Sequence, residues 1–360
     1  MNNLTAGQGN INIIIDDLIT VGYSINLVCF SYPNHAIERP ERFKEILYID
    51  QKRPQRYIYA LLLGFFFPLY TVRFSFRALS FIKKRAADAS LIYLDYSQVF
   101  LYAMFLKRLR QKICMFTHDV VYQKYERAFQ NKWYEQILLK QVKFTERTMF
   151  SYCDNIAIAS FKDHEILLKE YNVNAVVPIL KKRFRTVKSL NVPVNLSHFV
   201  FLGAWNRSEN LDGLQWFIDN VYPLLHKDIS FTIIGAGIKD DYKQKLPPAF
   251  KVAGFVDDLN SILQSSSALI SPLFLGAGIK FKVLDAIKNG CRVIGTDISF
   301  EGIEISANNL LLTANTANEF VKHIEYCLVT EYNPGAIKNL LDEFIGRFDD
   351  TLQWILRNVK

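Results

Sequence analysis

The chain lacks several things, and each lack removes a class of protein. Its five cysteines (Cys29, Cys114, Cys153, Cys291, Cys327) are odd in number and show no close pairing. Most sit inside apolar runs, which excludes a disulfide framework or a zinc set and suits reduced thiols of the cytosol. No apolar run reaches the roughly 20 residues of a membrane-spanning helix. The most apolar stretch, Tyr57–Val72, has 16 residues and is interrupted by Gly64 and Pro68. The opening residues MNNLTAGQGN carry no basic stretch ahead of an apolar core, so no secretory leader is predicted. No internal repeat, low-complexity tract or nucleic-acid motif is visible, and nucleic acid is not an expected partner.

What is present is length, apolar content and unevenly placed charge. A chain of 360 residues suggests two domains with their own cores, and 50 % apolar with 14 % aromatic content excludes disorder. Residues 1–190 hold 28 Lys+Arg against 16 Asp+Glu, and residues 191–360 hold 15 against 19. The balances are +12 and −4, so the two halves face different partners. An anionic membrane surface suits the first half, on the cytoplasmic side of the cell membrane. Tyr57–Val72 reads first as a kinked or paired buried helix. The sharper alternative is an interfacial segment between Arg53, Arg56, Arg73 and Arg77, with Lys83-Lys84-Arg85 beyond.

The second half alternates. Strand-like runs at His198–Gly203, Ser230–Gly235, Phe250–Gly254, Ala268–Pro272, Cys291–Gly295 and Asn309–Thr313 enclose helix-like runs such as Ser208–His226, Ile238–Lys245, Asp257–Gln264 and Ile279–Asn289. That alternation predicts a parallel, doubly wound α/β sheet whose ligand lies at the carboxyl ends of the strands. The first half is similar but less regular. Helix is expected at Ile11–Val21, Lys132–Phe150 and Lys162–Tyr171, and strand at Ile25–Phe30, Leu91–Leu94, Ile113–Phe116, Asn155–Ala159 and Ala175–Ile179. The expected division is 1–180 as the acceptor-side domain with a C-terminal helix at 346–360, a basic linker at 181–196, and a donor domain at 197–345. The chain opens on Gly7 and Gly9 as an acceptor-side loop, so the first strand of that domain reads as missing.

The richest stretch is Ser271 to Ile303, SPLFLGAGIKFKVLDAIKNGCRVIGTDISFEGI. Glycines at a strand-to-helix junction let backbone N–H groups approach an anion, and the helix start favours negative charge. Gly276, Gly278 and Lys280 would form a diphosphate grip, and the Asp285 carboxylate could accept sugar hydroxyls. If both were helical, Lys280 and Lys282 would lie about 200° apart, so only one can face a given ligand. Lys280, still in the turn, is the expected contact, while Lys282 is solvated or reaches another partner. Asp257-Asp258 reads as a helix start and not as a metal site.

These patterns resemble the GT-B glycosyltransferases, in particular the family-4-like group 1 enzymes. FLGAWNRSENLDGLQWF at 201–217, FTIIGAG at 231–237, GFVDDLNSIL at 254–263 and GAGIKFKVLDAIKNGCRVIGT at 276–296 carry the likeness, followed by Phe300-Glu301-Gly302-Ile303. Thr117-His118-Asp119 and the run from Glu146 to Asp163 resemble acceptor-domain segments less specifically. The resemblance implies two Rossmann-like domains facing across a cleft, and a retaining transfer from a nucleotide-diphosphate sugar without metal or other cofactor. It implies donor contacts at Gly203, Arg207, Asn210, Gly235, Phe255, Val256, Gly276, Gly278, Lys280 and Asp285. Catalytic roles fall to His118, Lys280 and Glu301, with Asp119 on the acceptor side. Ala277 stands where the family often carries a sugar-contacting Glu, a departure that Glu301 would make good.

The implied acceptor is a glycan or a polyprenyl-linked sugar in surface polysaccharide assembly. A non-catalytic GT-B subunit and a sugar-nucleotide epimerase are the alternatives. His118 also has a plain reading, as a hydrogen-bonded loop residue at the end of a strand.

Overall fold

The computed structural model describes residues 6–31, 40–50, 58–59, 61–107, 109–130, 132–184, 192–225, 228–276, 278–303 and 310–359. The chain divides into two compact units, one formed by Asn10–Leu180 with Asp349–Lys360 and the other by Lys181–Phe348 together with the chain start up to Gly9. All five cysteines are free, and Cys114, Cys291 and Cys327 are buried.

In the first unit, β1 (Asn26–Ser31) pairs in parallel with β2 (Glu45–Asp50). A second parallel sheet sets β4 (Lys112–Thr117) between β3 (Leu91–Asp95) and β5 (Asn155–Ile158). The β4 strand is buried from Ile113 onward, as a central parallel strand covered on both faces should be. The chain returns to this unit at its end. Asp349–Asp350 pairs with β6 (Pro178–Ile179), and the Thr351–Val359 helix places Trp354 and Ile355 in a core with Ile14, Cys114, Phe116, Ala157 and Leu180.

A buried carboxylate organises the helices of this unit. Glu146, on the Trp133–Phe150 helix, accepts the N–H groups of Val121 and Tyr122 at 2.9 and 3.2 Å. It also accepts the hydroxyls of Tyr70 at 3.0 Å and Tyr171 at 2.5 Å. Burial pushes its carboxyl up to about 7, and those four donors hold it back from rising further.

Two expectations for the first half of the chain are corrected. Gly7 and Gly9 do not form a loop: they lie in the first turns of the Ala6–Thr20 helix, where each glycine costs about 1 kcal/mol relative to alanine but does not break the helix as a proline would. The missing first strand concerns residues ahead of Ala6, outside the described ones. Tyr57–Val72 is not a buried helix along its length. Its described residues are helical at 58–59 and 61–62 and again at Pro68–Thr71, with a turn between; Tyr70 and Thr71 are buried, but Ile58, Leu61, Leu62 and Phe65 are exposed. Among the described residues no helix is long and apolar enough to cross a membrane.

The second unit is a six-stranded parallel sheet. Its strands are β7 (Asn195–Leu202), β8 (Ser230–Ile234), β9 (Phe250–Gly254), β10 (Ser266–Ser271), β11 (Arg292–Gly295) and β12 (Leu311–Thr313). Their spatial order is β12-β11-β10-β7-β8-β9, so the winding reverses between β7 and β10. Loops leaving two strands at such a reversal diverge and open a crevice. Phenylalanines fill the core, with Phe199, Phe201, Phe217, Phe231, Phe250 and Phe320 all buried and Phe231 stacked on Phe250 at 4.6 Å.

Arg292 is fully buried beside this core. It donates to the carbonyls of Ser267, Cys327 and Thr330 at 3.0–3.2 Å, and its guanidinium lies 4.2 Å from the centre of the Tyr332 ring. The Pro334–Gly346 helix, which the sequence reading did not find, packs against the Phe281–Lys288 helix.

Candidate functional site

Two glycines bring the strand ends of the second unit together. Gly235 follows β8 at φ +116°, and a Cβ there would fall 1.9 Å from the Gly203 carbonyl oxygen. Gly213 lies in the Ser208–Asn220 helix, and a Cβ there would fall 2.1 Å from the Pro272 carbonyl oxygen. The helix after β7 therefore sits directly on the loop after β10, at the switch point. The repeated glycines pointed to this loop cluster, but the role of Gly213 depends on a neighbour 59 positions away in sequence and was not legible.

Cations from both loops converge there. Gly276 and Gly278 adopt φ of +135° and +70°, turning the chain into the Phe281–Lys288 helix. Lys280 is the N-cap residue, as its expected place in the turn requires; its Nζ donates to the Gly278 carbonyl at 2.6 Å and lies 3.9 Å from Glu301. Lys282 is not solvated: its Nζ donates to Asn210 Oδ1 at 2.9 Å, and Asn210 Nδ2 donates to the Ala204 carbonyl at 3.0 Å. Burial pushes the Lys282 ammonium down to about 7, with repulsion from Lys280 and Arg207 adding to it. Arg207 pairs with Glu209 at 2.9 Å. The basic side chains of Lys280, Lys282 and Arg207 thus lie close together, an arrangement suited to an anion carrying more than one charge.

Asp285 has a partner that the sequence did not suggest. Arg183 Nη2 donates to its Oδ2 at 3.0 Å, and the guanidinium lies over the Phe281 ring at 4.8 Å. Lys288 Nζ also donates to the Arg183 carbonyl at 2.7 Å. The Lys181–Phe184 turn, expected as part of a linker, is thus fastened to this helix. Phe255 is exposed and Val256 half-buried after Gly254, which ends β9 at φ +69°. Asp258 caps the Leu259–Ser265 helix, accepting from Ser261 N–H at 3.0 Å. Ala277 lies outside the described residues.

In the first unit, His118 follows β4 and Asp95 ends β3. The His118 Nε2 and an Asp95 carboxylate oxygen are 3.1 Å apart, and the imidazole stacks on Tyr96 at 4.2 Å. Tyr96 is held at φ +72°, an uncommon backbone for a bulky residue. The Thr117 hydroxyl donates to the Asp119 carbonyl at 2.7 Å, bracing the turn around the histidine. Sequence reasoning placed His118 at a strand end but missed Asp95. An Asp closing the neighbouring parallel strand was the available signal.

Residues 197–329 match the model of the family described as Glycosyl transferases group 1. An uncharacterized 44.6 kDa protein in the cps region of Klebsiella pneumoniae is 31 % identical over 138 residues, covering 35 % of this chain. That match also spans 35 % of the relative's own length. Among solved structures, sucrose-phosphate synthase from Thermosynechococcus elongatus superposes with a TM-score of 0.70 at 13 % identity, over 98 % of this chain and 92 % of that one. Anabaena HepE in complex with UDP and glucose gives 0.67 at 12 % identity, over 100 % and 97 %. The lipopolysaccharide outer core galactosyltransferase WaaB gives 0.58 at 13 %, over 100 % and 96 %. The fold is therefore GT-B, and the resemblance read from the sequence to group 1 glycosyltransferases holds.

Proposed function

From a second unit that matches the group 1 glycosyl transferases, in a chain folded as GT-B enzymes are, we propose that this protein is a retaining glycosyltransferase. Its donor is a nucleotide-diphosphate sugar and its acceptor a glycan or a lipid-linked sugar. The observation that carries the reading is the Lys282–Asn210 hydrogen bond across the switch point, which gathers Lys282, Lys280 and Arg207 at one crevice. The relative encoded in a cps region supports a place in surface polysaccharide assembly. The basic first half supports work beside the inner face of the cell membrane.

In this reading Lys280 and Lys282 hold the diphosphate, and Asp285 takes ribose hydroxyls while Arg183 fixes its orientation. The bond from the sugar C1 to the diphosphate oxygen breaks as the acceptor oxygen bonds to C1 on the same face. The departing diphosphate takes the acceptor proton. Catalysis rests on positioning and on stabilising the charge of the leaving group, and the reaction calls for no metal. His118, held by Asp95, is the sugar-side contact of the acceptor unit.

The purified chain incubated with a panel of nucleotide sugars should release free nucleotide diphosphate from at least one, read by mass spectrometry. Lys280→Ala should abolish the release, and Asp285→Ala should weaken it through donor binding. A chain that turns over no donor yet captures a glycan or protein partner would instead be a non-catalytic GT-B subunit.

A further inference from the structure

We propose that the first unit docks on an anionic phospholipid bilayer through an apolar shelf made by Leu61, Leu62 and Phe65 together with the exposed face of the Trp133–Phe150 helix. The proposal deepens the membrane side of the reading above, and rests on it only for where the acceptor lies.

The shelf is built and held. Leu61 is 84 % exposed, Leu62 68 % and Phe65 71 %, far more than large apolar side chains in water usually are. Phe65 nevertheless has a fixed seat, its ring edge-on to Phe144 at 4.9 Å. Gln141 Nε2 donates to the Gly64 carbonyl at 3.0 Å and pins the turn to the helix. Along that helix Trp133, Ile137, Gln141 and Phe144 recur at spacings of four, four and three, which places them on one face. Trp133, Ile137 and Phe144 are all exposed. On the other side the surface continues through exposed Ile58 to Phe76, whose ring meets Tyr59 at 5.8 Å.

Charge selects the occupant. Both carboxylates of the Trp133–Phe150 helix, Glu135 and Glu146, are buried and hydrogen-bonded, so its exposed charges are Lys140 and Arg147, with Lys132 at its N-cap. The Phe76–Ala86 helix exposes Arg77, Lys83 and Lys84 and contains no acid. Residues 51–90 as a whole carry eight Lys+Arg against Asp88 alone. Apolar and aromatic groups rimmed by cations match the boundary between acyl chains and anionic headgroups. A second copy of the chain is a poorer fit, because a two-fold interface would bring the same cations face to face.

The test uses the whole chain sedimented with vesicles of phosphatidylcholine alone or with added phosphatidylglycerol. Binding is expected to the mixed vesicles, weakening as salt rises, with little binding to the neutral ones. Leu61→Asp with Phe65→Asp should lower partitioning by more than about tenfold. Lys83→Glu with Lys84→Glu and Lys140→Glu should lower it several-fold and flatten the salt dependence. These side chains are exposed, and unchanged circular dichroism and melting would confirm that the variants fold. Absence of binding by the wild type, or equal binding by the Leu61/Phe65 variant, would overturn the proposal. So would a result in which that variant only breaks up an oligomer. Donor hydrolysis measured without vesicles separates the two readings: hydrolysis without docking sinks the shelf alone, and docking without hydrolysis sinks the transferase alone.

Discussion

Lys282 and Asn210 meet across 2.9 Å, and with that bond the helix after β10 is tied to the helix after β7. The ammonium that makes the tie is pushed down to about 7, chiefly by burial. Its folded value therefore lies below the ordinary lysine range. Between about 7 and the ordinary value near 10.5 the unfolded chain binds more protons, so this group makes stability rise with pH; below 7 both states are charged and it contributes no slope. The full effect of one proton is about 1.4 kcal/mol per pH unit. Melting of wild type and Lys282→Met should therefore diverge from pH 7 to 9, and parallel curves would refute the assignment.

The same group predicts a proton coupled to donor binding. A diphosphate placed against a neutral Lys282 favours its charged form. Titration calorimetry of the nucleotide diphosphate at pH 8, in two buffers of different ionisation heat, should show proton uptake in the wild type. The Lys282→Met variant should show none.

Asp285 is expected to be a donor-binding residue more than a catalytic one. Removing a charged hydrogen-bond acceptor costs on the order of 1.5–3 kcal/mol, so Asp285→Ala should raise the donor KM by about tenfold or more and change kcat less. Arg183→Ala should move KM in the same direction by less, because the carboxylate remains but loses its 3.0 Å orienting partner. An unchanged KM in Asp285→Ala would remove this residue from the site.

Asp95 sets the orientation of His118. Asp95→Asn keeps the shape but changes which imidazole nitrogen carries the proton. It should lower kcat by at least about tenfold while leaving the donor KM alone. A rise in donor KM with unchanged kcat would mean that the pair is structural.

Glu146 gives a slope of the opposite sign to that of Lys282. Its folded carboxyl is raised to about 7 from near 4.5, so between those values the folded state binds more protons and stability falls as pH rises. Glu146→Gln should be less stable than wild type at pH 5 and should flatten the wild-type decline from pH 5 to 7. Chemical denaturation at a series of pH values reads both effects.

The second unit was the more legible one, since short apolar strands closing on glycines announce a parallel sheet with little ambiguity. What escaped has local causes. β2, Glu45–Asp50, begins and ends on a charge, which hid its apolar centre. The Pro334–Gly346 helix opens on Asn-Pro-Gly, a turn signature that here is an Asn cap followed by Pro at the first helical position. Lys280 stays in the turn, as expected, and is the N-cap of the Phe281–Lys288 helix, so the 200° separation of two helical lysines does not apply to it. Arg183–Asp285 and Asp95–His118 join residues 102 and 23 apart, and no local pattern reports such pairs.

The last turn of a helix ordinarily frays, because its carbonyls lack partners within the helix. At the Ala317–Val329 helix the buried Arg292 takes the Cys327 and Thr330 carbonyls for itself. That end can therefore loosen only when β11 leaves the sheet. Amide exchange there should follow the opening of the whole domain, so this helix end becomes a clock for global unfolding.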